Sequence, residues 1–564
     1  MRKTATSQPN NHLLVQAISG THVITLGINL TQTECVGLRG FAIERKEGDN
    51  GIWKPLEGMK VFRQIEPQPA AGKTFDTNVH PIQDFNWSDF TVRPGRNYTY
   101  KIKAMKGQIG QLTAAHQVEV PIRTESDSMQ FKHNVFFNRG VAGSQAFTRK
   151  FDPENKLSFD TIAKTKIWVW EWLSRGLKEA LDEFIRLAKD EQYALRAAVY
   201  EFQFEPILIE FLKASQRGVD VKIVYDAMNE DDVDGDTKIK NQTAIKNTGI
   251  GNLVIMRTKS GDIPHNKFIL LMKNDKPIAV WTGSTNLTTG GIYGHSNVGH
   301  LVRDKTLAGK YLHYWNALAQ DPTSEVLRSK TKDITPDTIF TAEPLDGALD
   351  VIFSPRPNYA ALDWYAELLG KSAAPVFITF PFNVNSRFVN ALKANEKRLF
   401  YVLSNSKRSE LENEPKIKQN KFNRIASGAM LDAENKLLGW LRERLTGLNG
   451  IAYIHSKYLC VDPLGKSPLI ISGTANFSPN SSNNNDENML VIKGDKRVAD
   501  IYFSEFMRIF RHFYFRSVAK DFSSGSRTDR IFLNEDEQWW QECFDADSPR
   551  YAERKYFSGD LSTS

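Results

Sequence analysis

The chain is 564 residues and 64.0 kDa, with 73 Lys and Arg against 66 Asp and Glu and a net charge of +7. That length exceeds one hydrophobic core and predicts about three to four domain-sized units. Cys35, Cys460 and Cys543, odd in number and scattered, exclude a disulfide framework and a cysteine-based zinc site. No apolar run reaches the roughly 18 residues of a membrane span, and MRKTATSQPNNHLL lacks a signal peptide's apolar core, so a cytoplasmic protein is expected.

From the N-terminus, residues 20–122 read as strands. Ile24, Leu26, Ile28 and Leu30 alternate, as do Tyr98, Tyr100, Ile102 and Ala104, with a turn signal at Glu47-Gly48-Asp49-Asn50-Gly51. This predicts a small β-sandwich over residues 1–125, followed by a polar linker at 124–128. The segment Arg93-Pro94-Gly95-Arg96-Asn97-Tyr98-Thr99-Tyr100 resembles the turn and tyrosine-bearing strand late in fibronectin type III domains.

From about residue 150 helices and strands alternate, the pattern of a layered α/β architecture. Ser174 is placed to cap a helix carrying Leu177, Leu181, Phe184, Ile185 and Ala188 on one face. Residues 195–200 read as a strand, Glu205-Pro206 opens a helix with proline in its first turn, and 219–225 form the next strand. The acidic run Glu230-Asp231-Asp232-Val233-Asp234-Gly235-Asp236 has Asn241 where a calcium loop needs glutamate, and reads as a solvated loop. The order then repeats: a strand at 376–380, a helix opening at 387–392, and a strand at 399–403. Amphipathic helices at 307–318 and 498–510 stand at matching offsets. Two α/β lobes related by a pseudo-two-fold, 126–335 and 336–530, are therefore expected. A tail over 531–564 contains Trp539-Trp540, and its pattern assigns it no role. The aromatic cluster at 510–515, with Arg508, Arg511 and Arg516, reads as helix packing with an exposed basic edge.

One motif occurs twice. His265-Asn266-Lys267 precedes Gly283-Ser284-Thr285-Asn286, and His455-Ser456-Lys457 precedes Gly473-Thr474-Ala475-Asn476, with 21 residues from histidine to asparagine in both copies. A single His-x-Lys is usually an ordinary strand face. Duplication at one spacing reverses that reading. Each His-x-Lys adjoins an apolar run, so strand alternation puts histidine and lysine on one face. Two facing units bring two imidazoles, two ammonium groups and two amides, a set able to hold a tetrahedral phosphate and cut one of its esters.

With these motifs, residues 150–520 resemble the phospholipase D superfamily, marked by H-x-K-x4-D followed by G-S-x-N once per lobe. The second copy is complete: His455, Lys457, Asp462, Gly473, Asn476 and the pair Asp486-Glu487. The first has Met272 at the aspartate position, and Ser296-Asn297 where the acidic pair stands in the second. The resemblance implies a metal-independent, cofactor-free phosphodiesterase working through a covalent phosphohistidine. It implies that His265 is the nucleophile and His455 the acid, although spacing does not distinguish them. Lys267, Lys457, Asn286 and Asn476 would hold the non-bridging oxygens, with Ser284 and Thr474 in support. Glu487 would accept a hydrogen bond from a catalytic histidine, and the other imidazole would rest on something weaker, such as Ser296. Asp462 reads as a turn residue. The two histidines are expected to titrate as a coupled pair. His295 and His300, with no acidic partner, are expected to line a loop and not to bind metal.

The favoured substrate on this reading is a nucleic-acid backbone, in line with the basic balance, which makes the protein a nuclease. The alternatives are a phospholipase D acting on membrane phospholipid and a non-catalytic scaffold that binds phosphodiesters. The N-terminal sandwich is available to recruit a protein partner.

Overall fold

Alternation in the N-terminal region produces two antiparallel sheets whose apolar faces meet. In the computed structural model, which describes residues 1–69, 73–140, 144–152, 158–228, 237–405, 411, 414–428, 454–523 and 532–560, one sheet has the order Arg2–Thr6, Leu13–Ser19, Ile24–Leu30, Asn86–Asp89. The other runs Thr113–Arg123, Asn97–Lys106, Leu38–Glu47, Lys54–Pro55. Ile24, Leu26, Ile28 and Leu30 share the buried core with Tyr98, Tyr100, Ile102 and Ala104. The Tyr98 hydroxyl accepts the Arg93 amide at 3.0 Å, which ties the turn to its strand. Two strands lie ahead of residue 20, where the strand pattern of the sequence begins: Leu13–Ser19, which is largely buried, and Arg2–Thr6, an edge strand with no fully buried side chain.

The C-terminal tail completes this domain. Trp539, Trp540 and Cys543 lie in the sandwich core, and the Trp539 indole donates to the Leu38 carbonyl at 2.8 Å. The helix Pro549–Ser558 crosses Ile24–Leu30 so closely that a Cβ on Gly27 would lie 2.0 Å from the Phe557 carbonyl oxygen. On its other side, Glu553 accepts the Tyr401 hydroxyl of the second lobe at 2.6 Å.

Each lobe is built on a seven-stranded mixed sheet. The first runs His133–Phe137, Val298–Val302, Lys276–Gly283, Lys267–Lys273, Tyr193–Val199, Asp220–Asp226, Val254–Arg257. The second runs Leu349–Ser354, Glu487–Lys493, Leu469–Gly473, Lys457–Val461, Val376–Phe380, Phe400–Ser404, Asn423–Ser427, and so repeats the connectivity. The last three strands of each are parallel, and the rest pair antiparallel.

The two sheets share one core. Phe268, Leu270 and Met272 from the first, and Tyr458 and Cys460 from the second, pack with the helices Lys305–Leu318 and Lys496–Ser523. The alternate residues Ile269 and Leu271, and Leu459 and Val461, face separate outer cores. This explains Met272. The first histidine strand continues to Lys273 and its fifth residue after Lys267 still faces the shared core. The second strand ends at Val461, so Asp462 turns out of the sheet with a φ of 48°, and its carbonyl accepts the Gly465 amide.

Three local expectations are corrected. Gly176, in the left-handed conformation, is the N-cap of Leu177–Arg186, while Ser174 ends the preceding helix and accepts the Lys178 amide at 3.2 Å. His300 lies within the strand Val298–Val302 and not in a loop; it contacts His133 at 3.0 Å and Tyr502 at 3.1 Å. The basic edge is partly internal, since Arg508 is buried and donates to Glu505 at 2.7 Å. The side chains of Phe515 and Arg516, and the acidic run 230–236, lie outside the described residues. Among the described residues no helix is long and apolar enough to cross a membrane.

Trp539→Ala is expected to lower stability by about 3–5 kcal/mol, the usual cost of emptying a large aromatic site. Denaturant unfolding followed by fluorescence measures it, and an unchanged midpoint would remove the tail from the sandwich core.

Candidate active site

Both His-x-Lys motifs stand where the histidine strands begin, at the seam between the lobes. Lys267 and Lys457 are the first residues of their strands. Each ammonium donates back to the carbonyl of its own histidine, at 2.7 Å for Lys267 and 2.6 Å for Lys457. Two residues of spacing thus place imidazole and ammonium on one face in both lobes. His265, Lys267, His455 and Lys457 are all buried.

The partners of the two histidines are exchanged between lobes. His265 Nδ1 lies 2.9 Å from Oε2 of Glu487, which starts a second-lobe strand. His455 Nδ1 lies 2.8 Å from Oδ1 of Asn297, which precedes the first-lobe strand Val298–Val302. Asn297 and Glu487 are equivalent positions, each 32 residues after the histidine of its own lobe. Asn297, and not Ser296, orients the histidine that lacks a carboxylate; Ser296 instead offers its backbone carbonyl, which accepts the His455 and Ser456 amides at 3.3 and 2.8 Å.

These bonds define the ring tautomers. Glu487 accepts, so His265 Nδ1 carries the hydrogen and Nε2 presents its lone pair. Asn297 donates through Nδ2 to the Gly291 carbonyl at 2.8 Å and accepts the Ser284 hydroxyl at 2.8 Å. Its Oδ1 can only accept, so His455 Nδ1 also carries a hydrogen.

Burial dominates the electrostatics. It pushes His265 down to about 4, with Glu487 opposing and Lys267 reinforcing the shift. His455 falls well below the usual histidine range through burial and through Lys457, His295, Lys267 and His265. Lys267 drops to about 7 and Lys457 well below the usual lysine range, both from burial. Burial would raise Glu487, but His265 and Lys267 outweigh it and hold the carboxyl below the usual range.

Asn286 and Asn476 differ. Asn286 Nδ2 donates to the carboxylate of Glu201, and its Oδ1 is buried without a hydrogen-bond partner. The Asn476 backbone amide donates to Ser481 Oγ at 3.0 Å, and its Oδ1 is likewise unpartnered. Thr474 accepts the Asn488 amide at 3.0 Å. Asp462 sits at the far end of its strand, where Tyr556 donates to it at 3.1 Å.

Several further residues build the site. His295 stacks on His455 with centroids 4.9 Å apart and planes at 30°. Tyr200 lies under both His265 and Lys267, each 5.2 Å from its ring. Glu201 follows the strand Tyr193–Val199, and burial raises its pKa against the pull of Lys267. Beneath the seam, Asn488 donates to Asn266 at 2.8 Å and accepts from Thr282 at 2.6 Å and Tyr311 at 2.8 Å. Arg257 of the first lobe grips Asp486 of the second through two bonds of 2.8 and 3.3 Å, next to Glu487. Among the described residues, no group of three or more His, Cys, Asp or Glu side chains is arranged to hold a metal ion.

The family profile described as "Cardiolipin synthase, PLD-like domain" matches residues 181–319 and 365–510, just over half of the chain. No curated protein sequence matches it. Similar solved structures include a phosphatidylserine synthase from Haemophilus influenzae, at 13% identity and TM-score 0.41 over 68% of this chain and 93% of that one. A phospholipase D family member, Nuc, from Salmonella typhimurium aligns at 27% identity and TM-score 0.21 over 26% of this chain and 87% of that one. Polyphosphate kinase from Porphyromonas gingivalis aligns at 11% identity and TM-score 0.36, over 55% of this chain and less than half, 43%, of that one.

Two outcomes are expected. His265 is held below its unfolded value of 6.5, so the unfolded chain binds more protons as pH falls from there toward about 4, and stability present above that window is lost within it. A melting temperature that stays flat through the window would contradict the buried neutral imidazoles. Arg257→Met strands Asp486 as an unpaired buried charge and is expected to cost about 3–5 kcal/mol in denaturant unfolding; a loss below about 1 kcal/mol would match a solvent-exposed pair instead.

Proposed function

Because the chain belongs to the phospholipase D superfamily, we propose that it cleaves phosphodiesters through a covalent phosphohistidine on His265. The observation that carries this reading is the Glu487–His265 hydrogen bond, which holds the ring in the tautomer that leaves the Nε2 lone pair free to attack. In the first step Nε2 bonds to phosphorus and the ester oxygen leaves, taking a proton from His455. In the second, His455 Nε2 accepts a proton from water, whose oxygen displaces His265 and releases the phosphomonoester.

Lys267 disfavours the charge on Lys457, and burial disfavours both charges. An anionic phosphodiester between them removes that repulsion, restores both ammonium charges and stabilises the negative oxygens of the transition state. The same anion favours a proton on His455. Every step is carried by groups of the chain, and activity is expected to survive EDTA.

A nucleic-acid phosphodiester is the favoured substrate, supported by the surplus of basic residues. A phospholipid is the second reading, supported by Phe382, which is 54% exposed just beyond the strand Val376–Phe380. Position 382 corresponds to Glu201 of the first lobe, so the two walls differ in polarity.

Wild type, His265→Ala and His455→Ala are to be compared with EDTA present on labelled single-stranded DNA, RNA and phosphatidylcholine vesicles. Loss of at least about a thousandfold is expected for either variant, consistent with removal of a nucleophile or a general acid–base. Acid-labile label should be trapped on wild type and on His455→Ala, and not on His265→Ala. Label on His265→Ala would reverse the two roles, and cleavage indifferent to both changes would sink the mechanism.

A further inference from the structure

Three arginines converge on one carboxylate where the sandwich, the first lobe and the second-lobe helix Lys496–Ser523 meet. Glu505 of that helix accepts two of them: Arg175 forks onto both of its oxygens, at 3.2 Å from Oε2, and Arg508 Nε donates to Oε2 at 2.7 Å. Arg508 also donates through Nη2 to the Asn138 carbonyl at 3.1 Å, which brings it beside the next residue, Arg139. Arg139 is tied to the same place by the first lobe. Its backbone amide donates to the Leu173 carbonyl at 2.9 Å and its guanidinium lies 4.4 Å from the centre of the Trp172 ring, just ahead of Arg175 in the chain. From the sandwich, the loop that sets Gly20 against Ser504 of the helix brings His22 within electrostatic reach of all three arginines.

The charges of this cluster do not balance. Arg139, Arg175 and Arg508 face Glu505 alone, an excess of two positive charges among the described residues. Burial, Arg175 and Arg508 all disfavour the charge on Arg139, and only Glu505 favours it. Burial and the same three arginines hold His22 well below the usual histidine range, and burial and Arg508 push His512 down to about 3. Nor are the donors all used. Arg175, with a side chain 2% exposed, keeps its Nε buried without a hydrogen-bond partner, and Arg139 Nε is left in the same state. Among the described residues no side-chain nitrogen of Arg139 donates a hydrogen bond; Trp172 covers one face of its guanidinium and leaves the edge open. Arg139, Trp172 and His22 are each partly exposed, so the cluster is reached from solvent.

Uncompensated buried guanidinium charge is strongly unfavourable, and the ligands that match its planar fork are carboxylate and phosphate. A single carboxylate would offset half of the excess. A phosphate group brings a charge of about −1.5 to −2 and three acceptor oxygens, which suits both the excess and donors that approach from more than one side chain. We infer that Arg139, Arg175 and Arg508 form a second anion site, which takes a dianionic phosphate group, either the free ion or the end of a phosphomonoester. It is separate from the cradle between Lys267 and Lys457, whose ammonium groups bond within their own motifs. Occupation requires no chemistry at His265. The site nevertheless adjoins the seam, because Asn138, held by Arg508, donates to the carbonyls of Ile292 and His295 at 2.9 and 2.7 Å.

Isothermal titration calorimetry of the full chain with inorganic phosphate tests the site, at about pH 8, where phosphate is dianionic, and at constant ionic strength with nitrate as the balancing anion. Wild type, Arg139→Gln and Lys267→Met are compared. Arg139→Gln is expected to weaken phosphate at this site at least about tenfold, the effect of losing a charge-assisted contact. Lys267→Met should leave the same binding in place, which separates it from phosphate held between the lysines. A second titration uses thymidine 5′-monophosphate: binding with the same dependence on Arg139 assigns the site to phosphomonoesters, and refusal of the nucleotide beside uptake of phosphate assigns it to the free ion. Equal phosphate affinity in wild type and Arg139→Gln overturns the inference, as does binding that vanishes in Lys267→Met, or no binding to wild type. Should Lys267→Met fail to fold, the comparison of wild type with Arg139→Gln decides alone. Loss of cleavage in the histidine variants leaves these outcomes untouched, so the phosphohistidine reading and the anion site stand or fall separately.

Discussion

The exchange of hydrogen-bond acceptors across the seam is the constraint on which the site rests. Neither lobe can orient its own histidine; each imidazole is set by a side chain 32 residues beyond the other lobe's histidine. Such bonds tolerate displacements of a few tenths of an ångström, so the lobes must keep one separation. The shared core provides that, because close-packed side chains from both sheets and two long helices resist both compression and opening. The Asn488 cluster adds registry, since its amide satisfies Asn266, Thr282 and Tyr311 only in one lateral alignment.

Duplication built the frame, and the halves then parted at a few places. Strand length decides whether position five after the lysine faces a core, which yields Met272 in one copy and Asp462 in the other. A carboxylate stands beside the seam after the strand of one lobe, Glu201, and an exposed phenyl ring after that of the other, Phe382. The acceptor for the opposite histidine is charged in one and neutral in the other. A pair of identical half-sites would bind a phosphate symmetrically and give neither ester bond precedence. These departures give the cleft a direction.

Much of the fold was legible. Period-two alternation at Ile24 to Leu30 and Tyr98 to Ala104 marks strands that turn one face to the sandwich core, and the repeated His-x-Lys identifies the duplication and the reactive groups. What escaped was set by contacts remote in sequence. Arg2–Thr6 pairs at a sheet edge and needs no apolar face. Asn297 stands at the right interval from His265, yet the side chain it holds belongs to the other lobe, which local spacing cannot express. Ser296 drew the same expectation because serine and asparagine are both plausible acceptors, and only the direction of the chain through the loop separates them. His295 and Glu201 acquire their roles from proximity alone. The fold and the duplicated chemistry were thus readable from residue patterns, while the wiring between halves was not.

The tail bears on how the protein is made. Trp539 and Trp540 belong to the core of a sandwich whose strands precede both lobes in the chain. Until synthesis has passed both lobes and reached Trp539 that core lacks two of its largest side chains, and the sheet that will receive Pro549–Ser558 presents Gly27 and its neighbours uncovered. At about 5–20 residues per second, the interval between the last sandwich strand and the arrival of its missing pieces is on the order of 20 to 80 seconds. A domain synthesised ahead of both lobes therefore closes only after them, and its exposed sheet needs shielding throughout the synthesis of both lobes.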